Sequence, residues 1–354
     1  MSARDLKSCF VYSSCAERQR NGLRTMANTI AAVIPVYNKE PYVARAIASV
    51  LAQTRPVDEI IIVDDASTDG GLARIAAFRD ARIRLLRRAK SGPGPSPARN
   101  LAIRSARSEW IAFLDADDEW DTEFIEELAN AERQASETVG CLFTGWRNIW
   151  TNGSITRDEY SEKYEGTRFG RLNFDTFISN WLDLDSCPMC ASAIAIRRDI
   201  LLAAGLFPTR CVQGEDKDTW VRVMALTDAM SSSRVCSSYY RETTNQHSRT
   251  GSSNLRHCLC ATLEEMISNA SARRRRLLMR LFNHQVFEYA RHVAPPERVS
   301  PDIYRGFFVS VGLQRYLFLL ALSYLPLPML QLCRSCILGT RRLIAKAKSA
   351  KPWE

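Results

Sequence analysis

Short apolar runs alternate with longer stretches of helical period over the first half of this chain. Runs at residues 30–36, 59–63, 83–86 and 110–114 are rich in Ile, Val, Leu and Phe and predict buried strands. Between them, residues 41–53, 71–78 and 97–106 repeat at the helical period, the first with Pro41 near its opening turn. Strand and helix alternating at this spacing predict βαβ units, hence an α/β fold whose mostly parallel sheet is flanked by helices. Further strands are expected at residues 139–150 and 191–196, separated by a Trp- and Asp-rich stretch at 181–185. Residues 215–226 read as a helix whose acidic start suits the positive end of its dipole. After a boundary near Ser253 the chain turns helical and basic.

Parallel sheets bind ligands beyond the carboxyl ends of their strands, so polar residues should gather there. The first strand runs into Pro35-Val36-Tyr37-Asn38-Lys39-Glu40, the second into Asp64-Asp65-Ala66-Ser67-Thr68-Asp69-Gly70, and the fourth into Asp115-Ala116-Asp117-Asp118. An acidic rim of this kind calls for a cation or a hydroxyl-rich ligand. A carboxylate-held divalent cation neutralises the charge that builds on a departing diphosphate, which is the chemistry an Asp-x-Asp at a strand end suggests. By itself that motif is weak, because the same spacing arises in ordinary capping loops.

Composition narrows the class. With 354 residues, 46% hydrophobic and 25% charged, and only 16 Gly with 14 Pro, the chain is neither disordered nor collagenous, and its length suggests two units. From Ser271 onward, 12 Arg and 3 Lys face 4 acidic residues, a balance of +11, so the net charge of +9 belongs to the C-terminal quarter. A local anionic surface such as phospholipid accounts for that better than nucleic acid, for which no zinc-finger or RNA-binding signature is present. Residues 316–332 are apolar, contain Pro326 and Pro328 and precede a basic tail, which suits a segment lying in a membrane interface or a helix packed on protein. Residues 1–28 read as a disordered leader, with Met26 as the expected true start. The eleven cysteines are expected as reduced thiols, with the spaced pairs Cys187/Cys190 and Cys333/Cys336 as incidental rather than zinc-binding.

Order gives the motifs their weight. Ile34-Pro35-Val36-Tyr37-Asn38, Val63-Asp64-Asp65-Ala66-Ser67-Thr68-Asp69-Gly70, Ala98-Arg99-Asn100 and Phe113-Leu114-Asp115-Ala116-Asp117-Asp118-Glu119-Trp120 follow one another, and Gly214-Glu215-Asp216-Lys217-Asp218-Thr219-Trp220 comes later. This series resembles the family 2 glycosyltransferases, inverting enzymes of the GT-A nucleotide-binding fold. The resemblance is close over residues 30–121 and looser to about residue 248, and it implies a GT-A domain over residues 29–252 followed by a helical region at 253–354.

The resemblance implies a nucleotide-diphosphate sugar donor, UDP-linked by expectation, and a role for each matching residue. Pro35, Tyr37 and Glu40 would line the nucleotide pocket, Asp65 would accept a hydrogen bond from the base, Arg99 would lie near the nucleotide or phosphates, and Asp115 would face the ribose. Asp117 would ligate Mg²⁺ or Mn²⁺, both of which suit hard oxygen donors. Asp216 would be the base that takes the acceptor hydroxyl proton, with Glu215 binding acceptor. The acceptor would be a saccharide or lipid-linked saccharide in surface polysaccharide synthesis, on the cytoplasmic side and peripheral to the inner membrane face. Acceptor recognition is expected in the loops, chiefly residues 152–185.

The chain departs from the family in its Pro-rich loop at residues 90–97, where relatives have a Gly-rich stretch, and this bears on the donor. His247 follows Tyr239-Tyr240-Arg241 and reads as a surface residue or one reaching the diphosphate. Two other readings stand beside the leading one: a polyprenyl-phosphate sugar synthase, whose acceptor needs no hydroxyl base, and a non-catalytic nucleotide-sugar-binding protein. A nucleotidyltransferase is disfavoured because Tyr37-Asn38 stands where its Gly-rich phosphate loop would be.

Overall fold

A computed structural model describes residues 28–92, 94–211, 214–241, 258–290 and 300–324. The leader up to residue 27, Met26, Pro93, His247, Cys333, Cys336, the boundary near Ser253 and the tail beyond residue 324 lie outside the described residues.

The first half alternates as its pattern predicts, in the order β1 (Ile30–Val36), α1 (Val43–Leu51), β2 (Glu59–Asp64), α2 (Gly71–Ala76), β3 (Ile83–Arg87), α3 (Ser96–Ser105) and β4 (Trp110–Phe113). The middle adds β5 (Glu119–Trp120), α4 (Phe124–Arg133), β6 (Val139–Trp150), β7 (Ile155–Arg157), α5 (Glu159–Lys163), β8 (Phe169–Leu172), α6 (Phe174–Leu184), β9 (Ile194–Arg197), α7 (Arg198–Ala203), α8 (Glu215–Met224) and β10 (Asp228–Arg241). The strand expected to start at residue 191 begins three residues later, after a 3₁₀ turn at Ala191–Ala193.

The strands form one sheet in the order β3-β2-β1-β4-β9-β6-β10-β5, with β7 beside β6 and β8 beside β10. Of the eight in that path, β3, β2, β1, β4, β6 and β10 point the same way, while β9 and β5 run against them. Every residue of β1 is buried, as a strand covered on both faces requires. Pro35 has no N–H to give and is tolerated in this central strand because it faces the side on which β4 has already ended at Phe113. Pairing of Val36 with Asp64 and of Val33 with Phe113 brings the loops after β1, β2 and β4 to one edge.

A separate core lies on each face of the sheet. Ile34, Ile47, Val50, Ile62, Phe124 and Leu128 pack on one side, under α1 and α4. On the other, Phe113, Phe177, Trp181, Phe207 and Trp220 join α3, α6 and α8. The helices that follow are α9 (Leu259–Asn269), α10 (Ala272–Ala290) and α11 (Leu313–Tyr324). Their Leu259, Leu263, Leu278, Phe282 and Leu319 belong to this second core, so the C-terminal helices pack as part of the α/β body. No described helix is long and apolar enough to cross a membrane.

One cysteine expectation is corrected. Cys211 and Cys258 form a disulfide with Cα atoms 5.8 Å apart, because folding lays the segment before α8 against the start of α9, a proximity that 47 residues of separation hide. Cys258→Ser is expected to lower the free energy of unfolding by about 2–4 kcal/mol and to make the midpoint insensitive to reductant, both measurable by thermal unfolding with and without dithiothreitol. Cys187 and Cys190 stay as free thiols, burial pushing the first up to about 12 and the second well above the ordinary range.

Candidate active site

Three loops at the carboxyl edge converge with the start of α8. The first leaves β1 through Asn38, whose left-handed backbone (φ 51°) turns the chain so that its side-chain Oδ1 accepts the Thr68 amide at 2.8 Å. Glu40 accepts the Gly70 amide at 3.0 Å and pairs with Arg74 at 3.5 Å, and its own amide donates to Asp69 at 2.8 Å. Glu40 therefore ties the β1 loop to the β2 loop, and Tyr37 lies half-buried beside this junction. Asp65, 4% exposed, is paired with Arg88 and accepts the Gly92 amide at 3.2 Å. The Pro-rich loop is thus pinned to the residue expected to read the base, and its Pro97 sits in the first turn of α3, where a missing N–H costs nothing.

Four side chains hold the centre. Arg99, only 2% exposed, donates to Asp115 at 2.6 Å and to Glu215 at 3.3 Å, with its guanidinium 5.2 Å over the Phe207 ring. Burial alone would weaken its charge, but Asp115 and Glu215 more than offset that and hold it charged above the ordinary arginine range. Glu215 is pushed up to about 7 by burial and by the neighbouring Asp216, against the pull of Arg99. Asp117 is 2.5 Å from the ammonium of Lys39. Asp216 follows Glu215 in the first turn of α8, which opens on Gly214 in the left-handed region (φ 79°), and its Oδ1 accepts the Lys217 amide at 2.7 Å.

The acidic loop is held from below. Asp118, 1% exposed, accepts Ser192 Oγ at 2.5 Å and the Tyr240 amide at 3.1 Å, while Ser192 Oγ accepts the Asp115 amide at 3.1 Å. Burial, then the charges of Asp117 and Asp115, push Asp118 well above the usual carboxylate range. Helix α8 is fixed in the same manner: Arg222 donates to Asp218 at 2.7 Å and to Leu206 O at 2.8 Å, and Thr262 of α9 donates to Asp218 at 2.5 Å.

The expected residues thus fall into two groups. Arg99, Asp115, Glu215 and Asp216 meet at the centre with Asp117 on the adjoining loop, whereas Pro35, Tyr37, Glu40 and Asp65 line the β1–β2 end. Sequence reading missed Lys39, Arg88, Ser192 and Tyr240, of which only Lys39 carried a signal, its place within the first strand-end run. Asp115 and Asp117 keep 27% and 22% of their side chains exposed and offer hard oxygens on a loop whose negative charge is offset by Arg99 and Lys39, a donor set that fits a divalent cation.

Residues 31–202 match the family model described as Glycosyl transferase family 2. An uncharacterised glycosyltransferase of Rickettsia conorii is 29% identical over 221 residues, 61% of this chain and 33% of the relative. The Escherichia coli UDP-Glc:alpha-D-GlcNAc-diphosphoundecaprenol beta-1,3-glucosyltransferase WfgD is 38% identical over 91 residues, 26% of this chain and 36% of its own. The chain spans about a third of the length of these curated relatives. Among solved structures, Staphylococcus aureus TarS residues 1–349 superposes with a TM-score of 0.60 at 17% identity over 80% of this chain and 78% of that one, and its complex with UDP-GlcNAc with 0.54 at 16% over 80% and 74%. The likeness to TarS is one of fold. Residues 31–202, just under half of the chain, thus form a family 2 glycosyltransferase domain, and the fold likeness to TarS extends over 80% of the chain.

Proposed function

We propose that this protein is an inverting, metal-dependent glycosyltransferase that moves a sugar from a UDP-sugar to a hydroxyl of a saccharide or lipid-linked saccharide during cell-surface polysaccharide assembly. The observation that carries this reading is the buried Arg99, which joins Asp115 on the donor-side loop to Glu215 on the base-bearing helix. On this reading the bridge would hold the two loops across one small space, with the leaving diphosphate and the attacking hydroxyl on opposite sides of it, as single displacement requires. The UDP-GlcNAc complex of TarS and the UDP-glucose and diphosphoundecaprenol in the name of WfgD support the donor and acceptor classes.

In this mechanism Tyr37 and Asp65 take the base and Asp115 the ribose. Asp117 would hold Mg²⁺ or Mn²⁺, which supplies positive charge against the departing diphosphate. Lys39, paired to Asp117, adds a fixed cation to the same loop. The acceptor oxygen attacks the anomeric carbon as the bond to the diphosphate breaks, and its proton passes to Asp216 Oδ2, Oδ1 being engaged by the Lys217 amide. Glu215, near 7, can donate or accept a hydrogen bond from the acceptor at neutral pH. Contact with the inner membrane face is assigned to the basic C-terminal region, where Leu313, Leu317 and Tyr324 of α11 are 55%, 55% and 66% exposed.

The test needs no acceptor. A panel of nucleotide sugars is incubated with the protein and Mn²⁺, or with chelator, and released nucleotide is measured. One donor should be hydrolysed only with metal, and Asp117→Ala should reduce that release by about 10²–10³-fold. No release from any donor, with no metal-dependent nucleotide binding, would overturn the reading in favour of a binding protein.

A further inference from the structure

Beyond the edge of β9, strands β6 and β10 continue and pair to their last residues, Tyr239 beside Asn148 and Arg241 beside Trp150, with β7 beside β6. Alternation puts these four side chains on one face. They form a ladder: the Arg241 guanidinium lies 4.4 Å over the Tyr239 ring and 5.7 Å over the Trp150 ring, and its Nε donates to Asn148 Oδ1 at 2.9 Å. Trp150 is 38% exposed, although its indole N–H is fixed to Thr156 Oγ1 at 3.1 Å, so a large aromatic surface is held open in a set orientation. Among the described residues no carboxylate pairs with Arg241.

The ladder adjoins the centre described above. The Tyr240 amide between its two β10 members donates to Asp118 at 3.1 Å, beside Asp117. Burial and the Asp118 carboxylate push the Tyr239 hydroxyl above its ordinary range, in keeping with that placement. In the sheet order, β10 stands three strands beyond β4 and β2 two strands before it, so the ladder and the nucleotide end lie on opposite sides of Asp115.

We propose that Trp150, Arg241, Tyr239 and Asn148 form a subsite for the acceptor saccharide, a pyranose ring lying on Trp150 with its hydroxyls taken by Arg241 and Asn148. A pyranose has an apolar C–H face and a rim of hydroxyls, which an indole face bordered by a guanidinium and an amide matches. The inference rests on the glycosyltransferase reading and adds where the acceptor lies.

Wild-type, Trp150→Ala and Trp150→Phe proteins would be applied, with UDP and Mn²⁺, to a microarray of bacterial surface oligosaccharides, with UDP affinity and unfolding midpoints measured in parallel. The expected result is binding to a subset of glycans, weakened about tenfold or more in Trp150→Ala and largely kept in Trp150→Phe, with UDP affinity unchanged in both. Equal glycan binding by wild type and Trp150→Ala, no glycan bound by wild type, or a fall in UDP affinity matching the fall in glycan binding would each overturn the subsite. Failure of the wider reading shows separately, as absence of donor hydrolysis by the wild-type protein.

Discussion

Replacing Asp216 with Asn should slow sugar transfer by about 10²–10⁴-fold while nucleotide-sugar affinity stays within about threefold. The substitution keeps the size of the side chain and lets Oδ1 go on accepting the Lys217 amide, so α8 starts as before. It removes the one property at issue, a carboxylate able to take the hydroxyl proton while the new C–O bond forms. Glu215 is poorly placed to substitute, since it is tied to Arg99. Transfer rates and donor binding for matched proteins with equal unfolding midpoints check the expectation. A rate that hardly changes would point to a lipid phosphate acceptor, which brings no proton to remove, and would move the assignment to a polyprenyl-phosphate sugar synthase.

Arg99→Met should be the most damaging substitution to folding, at about 3–5 kcal/mol, because it removes the cation from a buried group and leaves its carboxylates facing each other. Methionine fills much of the volume over Phe207, so the loss measures charge more than packing. The effect should depend on pH. In the native protein Glu215 sits above its unfolded value of 4.5, so its contribution to stability is fully present below 4.5 and is lost as the pH rises through about 7. Without Arg99 the largest pull that lowers Glu215 is gone, so the variant should lose more stability between pH 5 and pH 8 than the native chain does. Urea unfolding at those two pH values reads this directly, and an equal loss at both would show that the bridge contributes shape rather than charge.

How much of this was legible depended on whether burial and polarity agreed. The apolar run of β1 gave both boundaries, because a strand covered on both faces leaves no polar position to blur the pattern, and β6 was bounded as well although Thr144, Arg147 and Asn148 interrupt its apolar run. β10 escaped notice because serines occupy its buried positions. Ser231 is satisfied by Gly170 O at 2.9 Å and Ser232 by Glu127 at 2.6 Å, so side-chain bonds rather than apolar residues make this strand tolerable inside the protein. The stretch at residues 181–185 likewise looked irregular, yet Trp181 is 1% exposed near the end of α6. In the site, Asp115, Asp117, Glu215 and Asp216 stood out by motif, whereas the support beneath them joins Asp118 to Ser192 and to Tyr240, 74 and 122 residues away, and only folding reveals it.

The two cores on opposite faces of the sheet also bear on how such a protein can diversify. Side chains under α1 and α4 set the registers that aim the β1 and β2 loops, while α8 and its supports α6, α9 and α10 share the other face. On the roles proposed above, replacing or lengthening the supporting helices would redraw the ground around Asp216 while leaving the α1 and α4 side of the β1–β2 edge in place, so new acceptors could be sampled with an inherited donor kept. Arg99 marks the limit of that freedom, since its bonds to Asp115 and Glu215 oblige the two halves to change together wherever they meet.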